Sequence, residues 1–233
     1  MSNLLSETYK SWKIQYHPKL SIEWLHWFLD NCTNPSEFVP LTQQSDCINY
    51  LIDSETGPLV AMIYRRQLLS MQKPIGTEAE TLWQKSQLLK ASGIAIAEPM
   101  AVITRKSTSI KNYETWFIRD YVEGRSLFDI FHDQSSITPE LTSLAALSCQ
   151  LIAQLIDKRI RLETFKATDI IKSVNGFRLV GWRGIRRCSD YTDEMISNDM
   201  AHFMKAWIER YDYHQLFVES FSRVGIKLSK LDH

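Results

Sequence analysis

The sequence predicts an α+β fold, with strands and a helix in the first half of the chain and longer helices in the second. Three observations predict it. Ile48, Tyr50 and Ile52 alternate with polar positions, and the turn Asp53-Ser54-Glu55-Thr56-Gly57-Pro58 leads into the apolar run Leu59–Arg66, the pattern of a strand hairpin. Residues 77–92 place Ala79, Leu82, Trp83, Leu88 and Leu89 at helical spacing and stop at Gly93, a common residue just past a helix end. Pro139 opens a long helix to about Lys158, apolar on most sides through Leu141, Leu144, Ala145, Leu147, Leu151, Ile152 and Leu155.

With 233 residues, 44% of them hydrophobic and 23% charged, the chain can bury a substantial core and lacks the composition of a disordered protein. Lys plus Arg and Asp plus Glu each number 27, so the chain as a whole has no electrostatic claim on nucleic acid or on an anionic membrane. Cys32, Cys47, Cys149 and Cys188 form no Cys-x-x-Cys pair, and no apolar run follows a basic start at the N-terminus. Reduced thiols in a cytoplasmic protein are expected. No stretch reaches the length of a membrane span. The six histidines are scattered without metal-ligand spacing.

The first twenty residues carry no clear pattern. Ser21 is placed to cap a helix through about Cys32, with Ile22, Trp24, Leu25, Phe28 and Leu29 as a broad apolar face. Trp24, Trp27 and Phe28 suit either a partner- or membrane-facing helix or one packed on its own domain; the missing basic face favours the second. Gly76-Thr77 opens the 77–92 helix. Ala101–Ile103 and Thr115–Tyr121 read as strands around the polar turn Lys106–Tyr113, and the second runs into Asp120-Tyr121-Val122-Glu123-Gly124-Arg125-Ser126-Leu127. Two helices close the chain, one from about Asp199 through Trp207 and Tyr211, the other over about His214–Val224 up to Gly225.

The run Phe165-Lys166-Ala167-Thr168 resembles the lipopolysaccharide kinase (Kdo/WaaP) family, a protein-kinase-like group whose catalytic loop reads His-Gly-Asp-Phe-Lys-Ala-Thr-Asn. On that pattern Leu162 stands for the His, Glu163 for the Gly, Thr164 for the catalytic Asp and Asp169 for the metal-binding Asn. The family's next strand, near Leu-Ile-Asp-Leu-Asp, reads Leu179-Val180-Gly181-Trp182-Arg183, so Gly181 replaces the metal-binding Asp. Aligning Tyr64-Arg65-Arg66 puts Met62 where the phosphate-binding Lys belongs, and Ile156 takes the place of a His at the end of the long helix. Framework positions persist. Trp83 and Gly93 keep their spacing, Asp120 to Leu127 is similar to a kinase hinge, and Asp199…Phe203…Trp207 is similar to the family's Asp…Phe…Trp helix.

The resemblance covers roughly residues 45–220. It implies a kinase-shaped protein of two lobes, a small N-terminal antiparallel sheet with one helix over residues 1–120 and a larger, mainly helical C-terminal lobe over residues 121–233, at the cytoplasmic face of a Gram-negative inner membrane, whose relatives phosphorylate Kdo or heptose of the lipopolysaccharide core using ATP. The substitutions imply that the chemistry is lost. A kinase needs its Lys, its catalytic Asp and its metal ligands together to stabilise the charge on the transferring phosphoryl group. The expectation is therefore a pseudokinase, a binding or regulatory module acting on a protein partner or a component of lipopolysaccharide assembly, with no cofactor required and no nucleic acid bound. Peripheral membrane contact remains compatible with it. The alternative is an atypical active kinase using ATP and magnesium. Retained Lys166 sits where kinases place a cation near the phosphate, Asp169 is the candidate metal ligand, and the main chain at Asp120 and Val122 is the candidate nucleotide contact. Asp169 also suits a cap or loop carboxylate, and Lys166 a solvated lysine.

Overall fold

The computed structural model describes residues 4–32, 38–43, 47–67, 77–105, 112–207 and 209–228. The chain folds as two compact units, one of residues 1–86 and 97–121, the other of residues 87–96 and 122–233.

The first unit is built on an antiparallel sheet of seven strands: β1 (Leu5–Tyr9), β2 (Trp12–Tyr16), β3 (Val39–Gln43), β4 (Cys47–Ile52), β5 (Leu59–Gln67), β6 (Pro99–Arg105) and β7 (Asn112–Asp120), in the order β1-β2-β6-β7-β5-β4-β3. The sheet is wider than the expected small one. Residues 5–16, unpatterned to a sequence reader, form a hairpin that pairs β2 with β6. Trp12, Ile14 and Tyr16 alternate inward, but five residues per strand are too few for the period to stand out. The expected β4–β5 hairpin is present, with Cys47 opposite Tyr64 and Ile52 opposite Leu59. The polar-turn residues 106–111 and Gly76 lie outside the described residues.

Helix α1 (Ile22–Asn31) starts where Ser21 predicts, with its hydroxyl accepting from the Trp24 amide at 3.1 Å. Leu25, Phe28 and Leu29 join the sheet's apolar cluster, and Phe28 meets Trp116 edge-on at 5.1 Å. Trp24 packs partly against the same cluster and donates its indole N–H to the Asp53 carbonyl at 3.1 Å. Only Trp27 of the three aromatic residues is exposed, so the face serves mainly its own domain. Helix α2 (Glu78–Ala91) begins with a reciprocal cap in which Thr77 and Glu80 each accept the other's amide proton. Glu80 is thus engaged in the cap. Gly93 closes the helix at φ 74°.

The second unit holds α3 (Leu127–His132), α4 (Pro139–Asp157), α5 (Asp193–Met204) and α6 (Tyr211–Arg223), with short strands β8 (Arg125–Ser126), β9 (Ile160–Leu162), β10 (Ile170–Ser173), β11 (Gly176–Leu179) and β12 (Ile185–Arg187). Thr138 caps α4, accepting from the Leu141 amide at 3.2 Å. An aromatic core fills the unit: Trp207 stacks on Phe217 at 5.0 Å, Phe131 meets Tyr213 edge-on, and Phe165 stacks on Phe203 at 6.2 Å. The Leu179 amide donates to the Ala95 carbonyl, which attaches residues after α2 to this unit.

Two expected boundaries differ. The expected strand 179–183 ends at Leu179: the Val180 amide makes a last in-register bond to the Asp169 carbonyl at 2.9 Å, but the Asp169 amide turns back to the Lys166 carbonyl and the ladder stops. Asp199, expected at a helix start, lies in the middle of α5, which begins after Thr192; the Thr192 hydroxyl accepts from the Met195 amide and supplies the actual cap.

Candidate functional site

The residues aligned with a catalytic loop lie between two pairs of short strands. β9 pairs antiparallel with β12, placing Leu162 opposite Ile185 and Arg161 opposite Arg186. β10 pairs with β11 and with β8. Between β9 and β10 the chain makes a tight turn and then one 3-10 turn over Ala167–Asp169. Phe165 is buried against Phe203 and Ala167 is buried too, so the two apolar residues pin the loop while Thr164 and Lys166 face solvent.

The loop closes on Asp169. One carboxylate oxygen accepts from the Lys166 amide at 2.9 Å, and the Asp169 amide donates to the Lys166 carbonyl at 2.9 Å. The other oxygen lies against Gly181. A Cβ at position 181 would stand 2.6 Å from Asp169 Cγ and closer still to Oδ1. Gly184 is used in the same way, since a Cβ there would fall 2.6 Å from the Thr164 amide nitrogen and collide with its hydroxyl. The segments 164–169 and 181–184 therefore run in close contact at both ends, and glycines make that approach possible.

The loop is anchored from α5. The Asp199 carboxylate is buried and accepts from the Leu162 amide at 3.1 Å, from the Tyr191 hydroxyl at 2.8 Å and from Arg161 at 3.3 Å. Burial, then the bond to Asp199, pushes the Tyr191 phenol well above its ordinary range. Leu162, on the His position of the family pattern, is completely buried. Sequence reading noted Asp199 only as part of a helix motif. Its work on the loop depends on a contact 37 residues away in sequence, which no local pattern reports.

Glu163 accepts ion pairs from Arg161 and Arg186, each at 3.4 Å. That holds its carboxylate over the β9–β12 ladder rather than at the Thr164 position. Thr164 has no ionisable group and Gly181 no side chain, so of the three aligned positions for catalysis and metal only Asp169 supplies a carboxylate. Among the described residues no group of three or more His, Cys, Asp or Glu side chains is arranged to hold a metal ion. The residues present do not fit a magnesium-bound nucleotide as kinases hold it.

The remaining expected positions belong to the first unit or to the start of the second. Met62 sits in β5, opposite Asn49 and Phe117. The Asp120 amide donates to the Glu98 carbonyl at 2.9 Å, its carbonyl accepts from Arg119 at 3.0 Å, and its carboxylate accepts from the Glu98 amide. Both main-chain groups of Asp120 thus have partners within the unit. Val122 is buried. Just beyond it Gly124, at φ 149°, passes so close to β10 that a Cβ would lie 2.9 Å from the Ile171 side chain.

A sheet with helices, a strand–loop–strand hung on a buried helix carboxylate, and a hairpin returning beside the loop define a kinase-like α+β fold. Among solved structures the chain is similar to one described as WaaP in complex with acyl carrier protein, with a TM-score of 0.59 and 10% identity over 88% of each chain. At that identity the likeness is one of fold, and fold alone does not carry an activity. No family model matches the chain, and no curated protein matches it in sequence. No helix among the described residues is long and apolar enough to cross a membrane.

Proposed function

We propose that this chain is a catalytically impaired relative of the lipopolysaccharide core kinases, a pseudokinase that acts as a binding or regulatory module. The observation that carries the reading is the state of Asp169. Its carboxylate caps the loop through the Lys166 amide and fills the space beside Gly181. In a kinase that space belongs to a second carboxylate, and the pair holds the metal that neutralises the transferring phosphate. With Thr164 in place of the acid that orients the acceptor, and Met62 in place of the phosphate-binding lysine, the aligned positions 62, 164 and 181 supply no charged group for the developing charge. A protein partner is part of the proposal: the structural neighbour WaaP was solved with acyl carrier protein, and a binding module needs something to bind.

The test is phosphoryl transfer from ATP to lipopolysaccharide core acceptors, with magnesium and with manganese, alongside thermal melts in ATP. No transfer is expected under any condition. A ligand at a hundred times its dissociation constant raises stability by about 2.7 kcal/mol, so nucleotide binding without transfer is visible as a melting shift. Metal-dependent transfer that is lost in Asp169→Ala would instead establish the atypical kinase.

A further inference from the structure

A lone exposed tryptophan is ordinary on a protein surface, but Trp27 has company. It is 48% exposed, and its ring lies 6.4 Å from that of Trp24, one turn back on α1. The Trp24 indole N–H donates to the Asp53 carbonyl at 3.1 Å, which sets the turn before β5 beside the start of the helix. Ser21 fixes the same junction: its hydroxyl accepts from the Trp24 amide and donates to a Glu55 oxygen at 2.8 Å. Glu23 stands four residues before Trp27, on the same side of the helix. Two tryptophans and three exposed acidic residues, Glu23, Asp53 and Glu55, therefore meet at one end of α1 within the first unit.

The charge there is not cancelled. Among the described residues no ion pair joins Glu23, Asp53 or Glu55 to a cation. Glu55 is held by an amide and a hydroxyl, neutral donors that leave its charge in place. At the other end of the helix Asp30 pairs with Lys10 at 2.6 Å, and Glu7 of β1 lies 3.2 Å from His26. The sequence carries the same bias. With 27 Lys and Arg in 233 residues, a run of 45 would ordinarily hold about five; residues 20–64 hold none, against six Asp and Glu.

We propose that this end of α1 is a docking surface for a cationic amphipathic segment of a partner protein, one that presents Arg or Lys beside apolar side chains. A guanidinium can stack on an indole face while its N–H groups pair with a carboxylate, so Trp27 and Glu23 together suit a single Arg of the partner. Tryptophan is among the side chains that carry most of the energy of an interface once covered. Opposite charge orients the encounter and rejects partners of the wrong sign. The signs also oppose a membrane role for the same helix. Membrane-surface helices carry Lys and Arg around their apolar face, whereas an anionic headgroup layer repels carboxylates. The inference goes beyond the impaired-kinase reading: it uses no residue of the loop and holds whether or not the loop transfers phosphate.

The test is fluorescence anisotropy of a labelled amphipathic peptide of Arg and Leu, titrated with the full chain, beside the same peptide with Glu for Arg. The Arg peptide is expected to bind, more weakly as salt rises, and the Glu peptide not to bind. Trp27→Ala should lower affinity by about tenfold, as loss of a covered aromatic anchor does. The double variant Glu23→Gln/Asp53→Asn should lower it by about fivefold and flatten the salt dependence. Glu209→Gln, an exposed change in the second unit, removes a charge elsewhere and should leave affinity within about twofold. Should Trp27→Ala fail to fold, the double variant, both of whose sites are exposed, decides the matter. No binding of the Arg peptide, equal binding of the two peptides, or site variants no weaker than Glu209→Gln would each overturn the proposal. So would tighter binding to phosphatidylglycerol vesicles, which would make α1 a membrane contact, or self-association lost in Trp27→Ala, which would give the surface to a second copy of the chain. Phosphoryl transfer measured on the same protein bears on the impaired-kinase reading alone, so the two fail separately.

Discussion

The carboxylate of Asp169 lies where a side chain at position 181 would have to begin. The two positions proposed to match a kinase's metal ligands are a capping carboxylate and a glycine, and each depends on the other. Restoring the lost carboxylate by itself is therefore expected to fail. Gly181→Ala should destabilise the protein by about 1–3 kcal/mol through overpacking, and Gly181→Asp by more, since it adds a like charge at contact distance. In an Asp169→Gly background the cost of Gly181→Ala should shrink, because the atoms it strikes are gone. Urea unfolding of the two singles and the double measures this. Equal costs in both backgrounds would contradict the contact.

Asp199 is buried with three donors around it, from Leu162, Tyr191 and Arg161. Removing one partner of a buried ionic pair leaves the other uncompensated, so Asp199→Ala should cost about 3–5 kcal/mol. Tyr191→Phe removes a single bond and should cost about 1 kcal/mol. Denaturant midpoints at neutral pH decide between this order and its reverse.

Alkaline stability should report Tyr191. Burial, and then its bond to Asp199, raises the phenol above the ordinary value of 10.0, so the folded state holds the neutral form. The unfolded chain gives up the proton first. Stability from this group is complete below pH about 10 and is lost as pH rises toward the folded value. Melts taken from pH 8 to 11 should fall in the wild type and fall less in Tyr191→Phe. Parallel curves would show that the phenol contributes nothing to the alkaline loss.

The cysteines should divide sharply in reactivity. Burial pushes the Cys32 thiol up to about 12, and Cys149 is raised further by the same cause. Cys47 is buried as well, while Cys188 is partly open. At pH 8 a thiol reagent should label Cys188 quickly and the other three only on unfolding. Mass spectrometry of partially labelled protein identifies the site, and early labelling of Cys32 or Cys149 would contradict the packing.

Strong local patterns carried much of the fold into the sequence. Ser21, Pro139 and Gly93 mark helix ends because such signals are a matter of a few adjacent residues, and each stands at the expected end. The α4 helix and the β4–β5 hairpin were legible because their apolar periods run long enough to exceed chance. The resemblance of residues 162–169 and 179–183 pointed to the candidate site, and the impaired-kinase proposal rests on Thr164, Gly181 and Met62 standing at the aligned positions.

What the tertiary structure decided was every relation between segments distant in the chain. The β1–β2 hairpin is defined by its pairing with β6, not by its own residues. Glu163 is drawn over the β9–β12 ladder by Arg186, 23 residues on. Asp199 reaches back to Leu162, and Asp169 and Thr164 press on Gly181 and Gly184. A sequence lists which charges and glycines are present, but which of them meet is set by non-local packing. That packing makes Asp169 a loop cap and leaves Lys166 and Arg183 exposed.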